Sequence, residues 1–144
     1  MKDLKEIIDE WSQNGAVLVL ARVVKTWGSS PRPIGSMMVI NEDQKMSGSV
    51  SGGCVEGAVV KKAQALFAQH TAEKLSFGVS DEEAWSVGLS CGGSIEVYLQ
   101  AVDFSSNTVW HFLLKNRQSN QSCLLISDLS PCQVWSLYRV FVLV

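Results

Sequence analysis

Apolar residues at Leu4, Ile7, Ile8 and Trp11, with acids and lysines between them, recur at helical spacing. They predict an amphipathic helix over residues 3–14, ended by Gly15. Ala16–Lys25 (AVLVLARVVK) changes period: a β-branched, nearly unbroken apolar run after a glycine reads as a largely buried strand. Thr26–Gly35 holds two prolines and two glycines, which exclude both helix and central strand. Ser36–Asn41 returns to a strand, Glu42–Lys45 is a polar turn, and Ser47–Ser51 is a further short strand. Val55, Val59, Ala63, Leu66 and Phe67 then follow helical periodicity, so a helix runs from about Cys54 to Gln69, starting at or just after Gly52-Gly53. His70 closes that helix as a C-terminal cap.

In the second half, Glu73–Phe77 is a predicted strand. Ser80 and Glu83 form a capping box that opens a short helix over Asp81–Val87. Ser94–Val102 alternates as a strand, Ser105-Ser106-Asn107 caps a helix over 108–116, and Ser122–Ser127 is another strand. The tail Pro131–Val144 is apolar without a turn, and reads either as an added strand or as a junction at which a longer protein continues. The pattern as a whole predicts a mixed α+β (α/β) fold with a mainly β centre and about three helices. One compact domain covers 1–130, followed by the tail 131–144.

Composition narrows the function. A chain of 144 residues holds one core and is short for two. Apolar residues at 47% and charged residues at 18% mark a folding chain, and a formal charge of −2 lacks the basic excess that nucleic-acid binding uses. No apolar run approaches the roughly 20 residues a membrane span needs. The charged start Met1-Lys2-Asp3-Leu4-Lys5-Glu6 is unlike an export signal, so the cytoplasm, with reduced thiols, is the expected setting. The four cysteines form no C-x-x-C pair and the two histidines are isolated, so neither a disulfide framework nor a zinc site is expected.

The chemistry concentrates in two turns that echo one another, Ser51-Gly52-Gly53-Cys54-Val55-Glu56 and Ser90-Cys91-Gly92-Gly93-Ser94-Ile95-Glu96. A strand passing through Ser-Gly-Gly into a helix offers unpaired backbone N–H groups, and glycine lets a ligand come close. The positive end of the helix favours a phosphate or another anion, and favours thiolate character at Cys54. The plainer alternative is a tight turn with Cys54 as a small buried hydrophobe. Glu56 suits the first turn of a helix for dipole reasons alone, and Glu96 sits in a strand; either is also a candidate proton acceptor. Ser29, Ser30 and Arg32 stand on a stiff loop, with Arg32 between Pro31 and Pro33 as a clamp for phosphate or carboxylate. Trp27, Trp85 and Trp110 read as core or interface anchors.

Three runs in order resemble the N-terminal domain of the XdhC/CoxI family: Gly28-Ser29-Ser30-Pro31-Arg32-Pro33-Ile34-Gly35, Gly48-Ser49-Val50-Ser51-Gly52-Gly53-Cys54-Val55-Glu56, and Gly88-Leu89-Ser90-Cys91-Gly92-Gly93-Ser94-Ile95-Glu96. The resemblance covers about residues 3–102. It implies an accessory protein that binds molybdenum cofactor, assists its sulfuration by a cysteine desulfurase and delivers it to an apo molybdenum hydroxylase of the xanthine dehydrogenase type. Its cofactor-site residues would be Ser29, Ser30, Arg32, Ser51, Gly52, Gly53, Cys54, Glu56, Ser90, Cys91, Gly92, Gly93 and Glu96. Cys54 and Cys91 would be molybdenum or sulfur contacts. Family members carry a further Rossmann-like domain, and no G-x-G-x-x-G follows a strand here, so no NAD is expected. A homodimer would cover the apolar tail. Two alternatives stay open: a thiol-dependent transferase or oxidoreductase using Cys54 or Cys91, and an interaction module that no longer binds ligand.

Overall fold

The computed structural model describes residues 3–78, 92–105, 108–119, 122–126, 129 and 139–142. Strands β1 (Val17–Trp27), β2 (Met37–Ile40), β3 (Met46–Gly48), β4 (Ala72–Phe77) and β5 (Ser94–Asp103) form one sheet in the order β3-β2-β1-β5-β4. Every neighbouring pair is antiparallel. β1 is central and covered on both faces, which is why its sequence is apolar almost without a break. Val19, Ala21 and Val23 point to one face, and Leu18 and Leu20 to the other.

Helix α2 (Glu56–Gln69) covers the first face, packing Val59, Ala63, Leu66 and Phe67 against β1, β2 and β5. Full burial of the valine, leucine and phenylalanine side chains contributes about 1.5–3 kcal/mol each. His70 ends the helix in the left-handed region (φ 51°), its N–H bonded to Leu66 O at 2.9 Å. On the opposite face Ile8 of α1 (Leu4–Trp11) and Trp110 of α3 (Thr108–Gln118) cover Leu18, Leu20, Val39 and Val102. Phe104 meets Trp110 with ring centroids 6.0 Å apart. Asp3 caps α1: its carboxylate accepts from Glu6 N at 2.8 Å while Glu6 reaches back to Asp3 N at 3.2 Å. Among the described residues no helix is long and apolar enough to cross a membrane.

The mixed α+β architecture is the predicted one, and four boundaries moved. α1 stops at Trp11 and a single 3-10 turn, Gln13–Gly15, completes the predicted segment. β1 runs to Trp27, into the proline–glycine segment. β3 ends at Gly48 and α2 begins at Glu56, later than Cys54, because Ser49–Val55 folds into a turn of its own. The tail supplies β7 (Arg139–Val142), which pairs with β6 (Cys123–Ile126) in a separate two-stranded sheet. The expected helix over 81–87, with Ser80, Glu83 and Trp85, lies outside the described residues, as does 131–138.

The antiparallel order positions the site. Trp27 at the end of β1 pairs with Ser94 at the start of β5, Arg22 with Met37 at the start of β2, and Met38 with Gly48 at the end of β3. The segments 28–36, 49–55 and 92–93 therefore emerge at one end of the sheet.

Candidate functional site at one end of the sheet

The proline loop is held in shape by its own short bonds. Ser30 Oγ donates to Arg32 O at 2.8 Å, Ser36 N to Pro33 O at 3.1 Å, and Gly35 N to Val23 O at 2.9 Å. This loop lies between the two glycine turns. A Cβ on Gly93 would stand 2.1 Å from Ser29 O and 2.9 Å from Trp27 O, so backbone packs on backbone there. On the other side, a Cβ on Gly52 would sit 3.7 Å from Pro31 Cβ. The loop, the first turn and Gly92-Gly93 lie side by side, with Arg32 exposed on the loop.

The first turn is built around a carboxylate from its own helix. Glu56 Oε1 accepts from Ser49 Oγ at 2.7 Å, Ser51 N at 2.9 Å and Val50 N at 3.1 Å. Its Oε2 accepts from Gly53 N at 2.9 Å and from Ser51 Oγ. Gly52 N and Val55 N donate to Ser49 Oγ and Ser51 Oγ, at 2.8 and 2.9 Å. The N–H groups expected to await an outside anion at Val50, Ser51, Gly52, Gly53 and Val55 are thus engaged from within. Glu56 is 5% exposed. Burial alone would raise its pKa, yet the Ser51 and Ser49 hydroxyls and the Ser51 N–H outweigh it and lower the group from 4.5 to about 2. Ser49 was not singled out from sequence; the signal was two serines, five and seven residues before a first-turn acid.

Cys54 follows this turn with its side chain half-buried against the α2-side core. Gly53 before it adopts φ 118° with open space where a Cβ would be, a conformation that requires glycine. In the second turn Gly92 is exposed and Gly93 is buried under the proline loop, while Ser90 and Cys91 lie outside the described residues. Glu96 is engaged elsewhere: its carboxylate meets Lys74 at 3.2 Å and Lys25 at 3.3 Å. The Lys74 hydrogen bond in particular holds it below the ordinary carboxylate range. Trp110 is a core anchor as expected, whereas Trp27 stands 72% exposed at the rim of the proline loop and Ile34 61% exposed on it.

The donor set available to a ligand therefore has two ends. A guanidinium with neighbouring serines suits a phosphate or carboxylate, and a thiol beside open glycine backbone suits a soft atom. Among the described residues no group of three or more His, Cys, Asp or Glu is close enough to hold a metal by itself.

Several known proteins are similar to this chain. The "Molybdenum cofactor insertion chaperone PaoD" of Escherichia coli K12 is 37% identical over 89 residues, 61% of this chain and 27% of its own length. A probable xanthine dehydrogenase component of Bacillus subtilis 168 is 29% identical over 104 residues, 71% of this chain and 32% of its own. A crystal structure of a xanthine dehydrogenase from Bacillus halodurans superposes with a TM-score of 0.63 at 28% identity, over 81% of this chain and 34% of that one. The chain thus matches about a third of the length of these relatives. Residues 11–78, which carry the Ser-Pro-Arg-Pro loop and the first glycine–cysteine turn, match the XdhC and CoxI family.

Proposed function

We propose that this chain handles molybdenum cofactor as an accessory protein for a molybdenum hydroxylase of the xanthine dehydrogenase type. The observation that carries the reading is the convergence of the proline loop, the first turn and Gly92-Gly93 on one sheet end. It brings the loop that carries Arg32 and the turn that carries Cys54 side by side. The likeness to a molybdenum cofactor insertion chaperone supports an accessory role.

In this reading Arg32, with Ser29 and Ser30, binds the phosphate end. The backbone at Gly52, Gly53, Gly92 and Gly93 lets the flat body of the ligand approach closely. Cys54 stands at the soft end; Cys91 and Ser90, expected there from the sequence, lie outside the described residues. Ser51 and Glu56 shape the first turn. When bound, the cofactor supplies the molybdenum redox chemistry of the hydroxylase that receives it. Glu96, held by two lysines, has no part in the site. Exposed Trp27 and Ile34 give the same rim an apolar surface for the apo hydroxylase or for a cysteine desulfurase that sulfurates the cofactor. The setting is the cytoplasm.

The test is co-purification. The chain, expressed in a host that makes abundant cofactor, is expected to carry pterin fluorescence and molybdenum, and the Arg32→Ala variant to lose both. A metal-free, pterin-free wild-type preparation from that host overturns the proposal. A variant that keeps its affinity but loses turnover would instead favour a thiol-dependent enzyme.

A further inference from the structure

The carboxylate of Glu56 sits where a helix start would hold an external anion, and it accepts five hydrogen bonds from four residues of a single turn. Two of those residues, Ser49 and Ser51, also accept N–H bonds from Gly52 and Val55. The turn is thus organised as two layers: serine hydroxyls and amides converge on the carboxylate, and the remaining amides converge on the serines. Cys54 lies between Gly53, which bonds directly to the carboxylate, and Val55, which bonds to Ser51. Its backbone is clamped on both sides by groups that depend on Glu56. Nothing else in this segment carries a negative charge.

We infer that Glu56 is a positioning residue, a resident anion that sets the presentation of Cys54 and closes this helix start to any phosphate. The inference deepens the proposed function by dividing the site. Phosphate recognition belongs to the Arg32 loop, and the glycine–cysteine turn serves the soft end only. A carboxylate buried at 5% exposure and saturated with donors is not available as a ligand contact or a general base. Its action is through the turn.

The experiment needs no cofactor, so its outcome is independent of whether molybdenum cofactor is the ligand. The full-length chain and its Glu56→Ala and Glu56→Gln variants are alkylated with iodoacetamide, and Cys54 is followed by peptide mass spectrometry with Cys91, Cys123 and Cys132 as internal references. Each protein is run with and without sodium acetate or inorganic phosphate, alongside thermal melts. Removing the anion frees the turn on both sides of Cys54 and leaves the helix dipole unopposed, so Cys54 in Glu56→Ala should react about tenfold faster than in wild type. Acetate or phosphate should slow it back and raise the melting temperature of that variant more than that of wild type. Glu56→Gln keeps the shape but turns an N–H2 group toward the Gly53 N–H, so it should also react faster, selectively at Cys54. If Glu56→Ala unfolds, all four cysteines accelerate together and the glutamine variant decides. A Cys54 rate within about twofold of wild type in a folded Glu56→Gln protein overturns the inference. So does a phosphate response as large in wild type as in Glu56→Ala.

Discussion

Replacing Gly93 with alanine adds a single methyl group at the point where the second turn passes beneath the proline loop. The new Cβ would lie 2.1 Å from Ser29 O, 2.8 Å from Ser29 C and 2.9 Å from Trp27 O, where ordinary contact begins at 3.4 Å. All three are backbone atoms, so no side chain can swing aside. Either β5 or the 28–30 segment must move, and overpacking of this kind costs about 1–3 kcal/mol. Gly57 supplies the control, since it lies inside α2 with nothing within 4 Å of its added Cβ. There alanine should stabilise by about 0.5–1 kcal/mol, because glycine is the poorer helix former. Urea unfolding of the two variants beside wild type should therefore give shifts of opposite sign for the same chemical change. The Gly93→Ala protein should also hold cofactor less well, since Arg32 rides on the displaced loop. A Gly93→Ala midpoint equal to or above wild type would refute the close packing of loop on turn, and with it the contiguity of the site.

Acid should act on the first turn. Glu56 is lowered from 4.5 to about 2 in the folded protein, so its contribution is complete above pH 4.5 and drains away as pH falls toward 2. The linkage amounts to about 3 kcal/mol at most. Denaturation midpoints measured across that range should fall more steeply for wild type than for Glu56→Gln, and parallel slopes would count against it. Ser51→Ala removes both a donor to the carboxylate and the acceptor of Val55 N–H. It should cost about 1–3 kcal/mol in chemical unfolding, more than Ser49→Ala at the less buried position. Trp27→Ala alters a side chain that is 72% exposed, so its melting temperature should match wild type, with stability changed by less than about 0.5 kcal/mol.

Much of this architecture was legible in the pattern of residues. The amphipathic first helix, the doubly buried run of β1 and the period of α2 depend on local propensity and amphipathicity, and each appeared near its predicted place. That the proline loop, the first glycine turn and Gly92-Gly93 meet followed less directly, because convergence depends on strand order, which no local pattern encodes. The role of Glu56 was hidden for a further reason. An acid in the first turn of a helix is favoured by the dipole wherever it points, and only the folded turn shows it reaching back to Ser49, Val50, Ser51 and Gly53. Glu96 has surroundings of a different kind. It follows the second turn as Glu56 follows the first, but strand alternation sets it between Lys25 and Lys74 on neighbouring strands. The exposure of Trp27 was equally unreadable, since a tryptophan at a strand end serves a core as readily as a rim.

The central claim is that the surface joining Arg32 to Cys54 binds molybdenum cofactor. It is tested most directly by mixing the purified chain with cofactor released from a donor hydroxylase and measuring retained pterin and molybdenum after rapid desalting. Wild type should retain both saturably. Arg32→Ala, losing a charge-assisted contact, should bind at least about tenfold more weakly, and Cys54→Ala should also be impaired. No retention by a folded wild-type chain, or equal retention by all three proteins, would contradict the account.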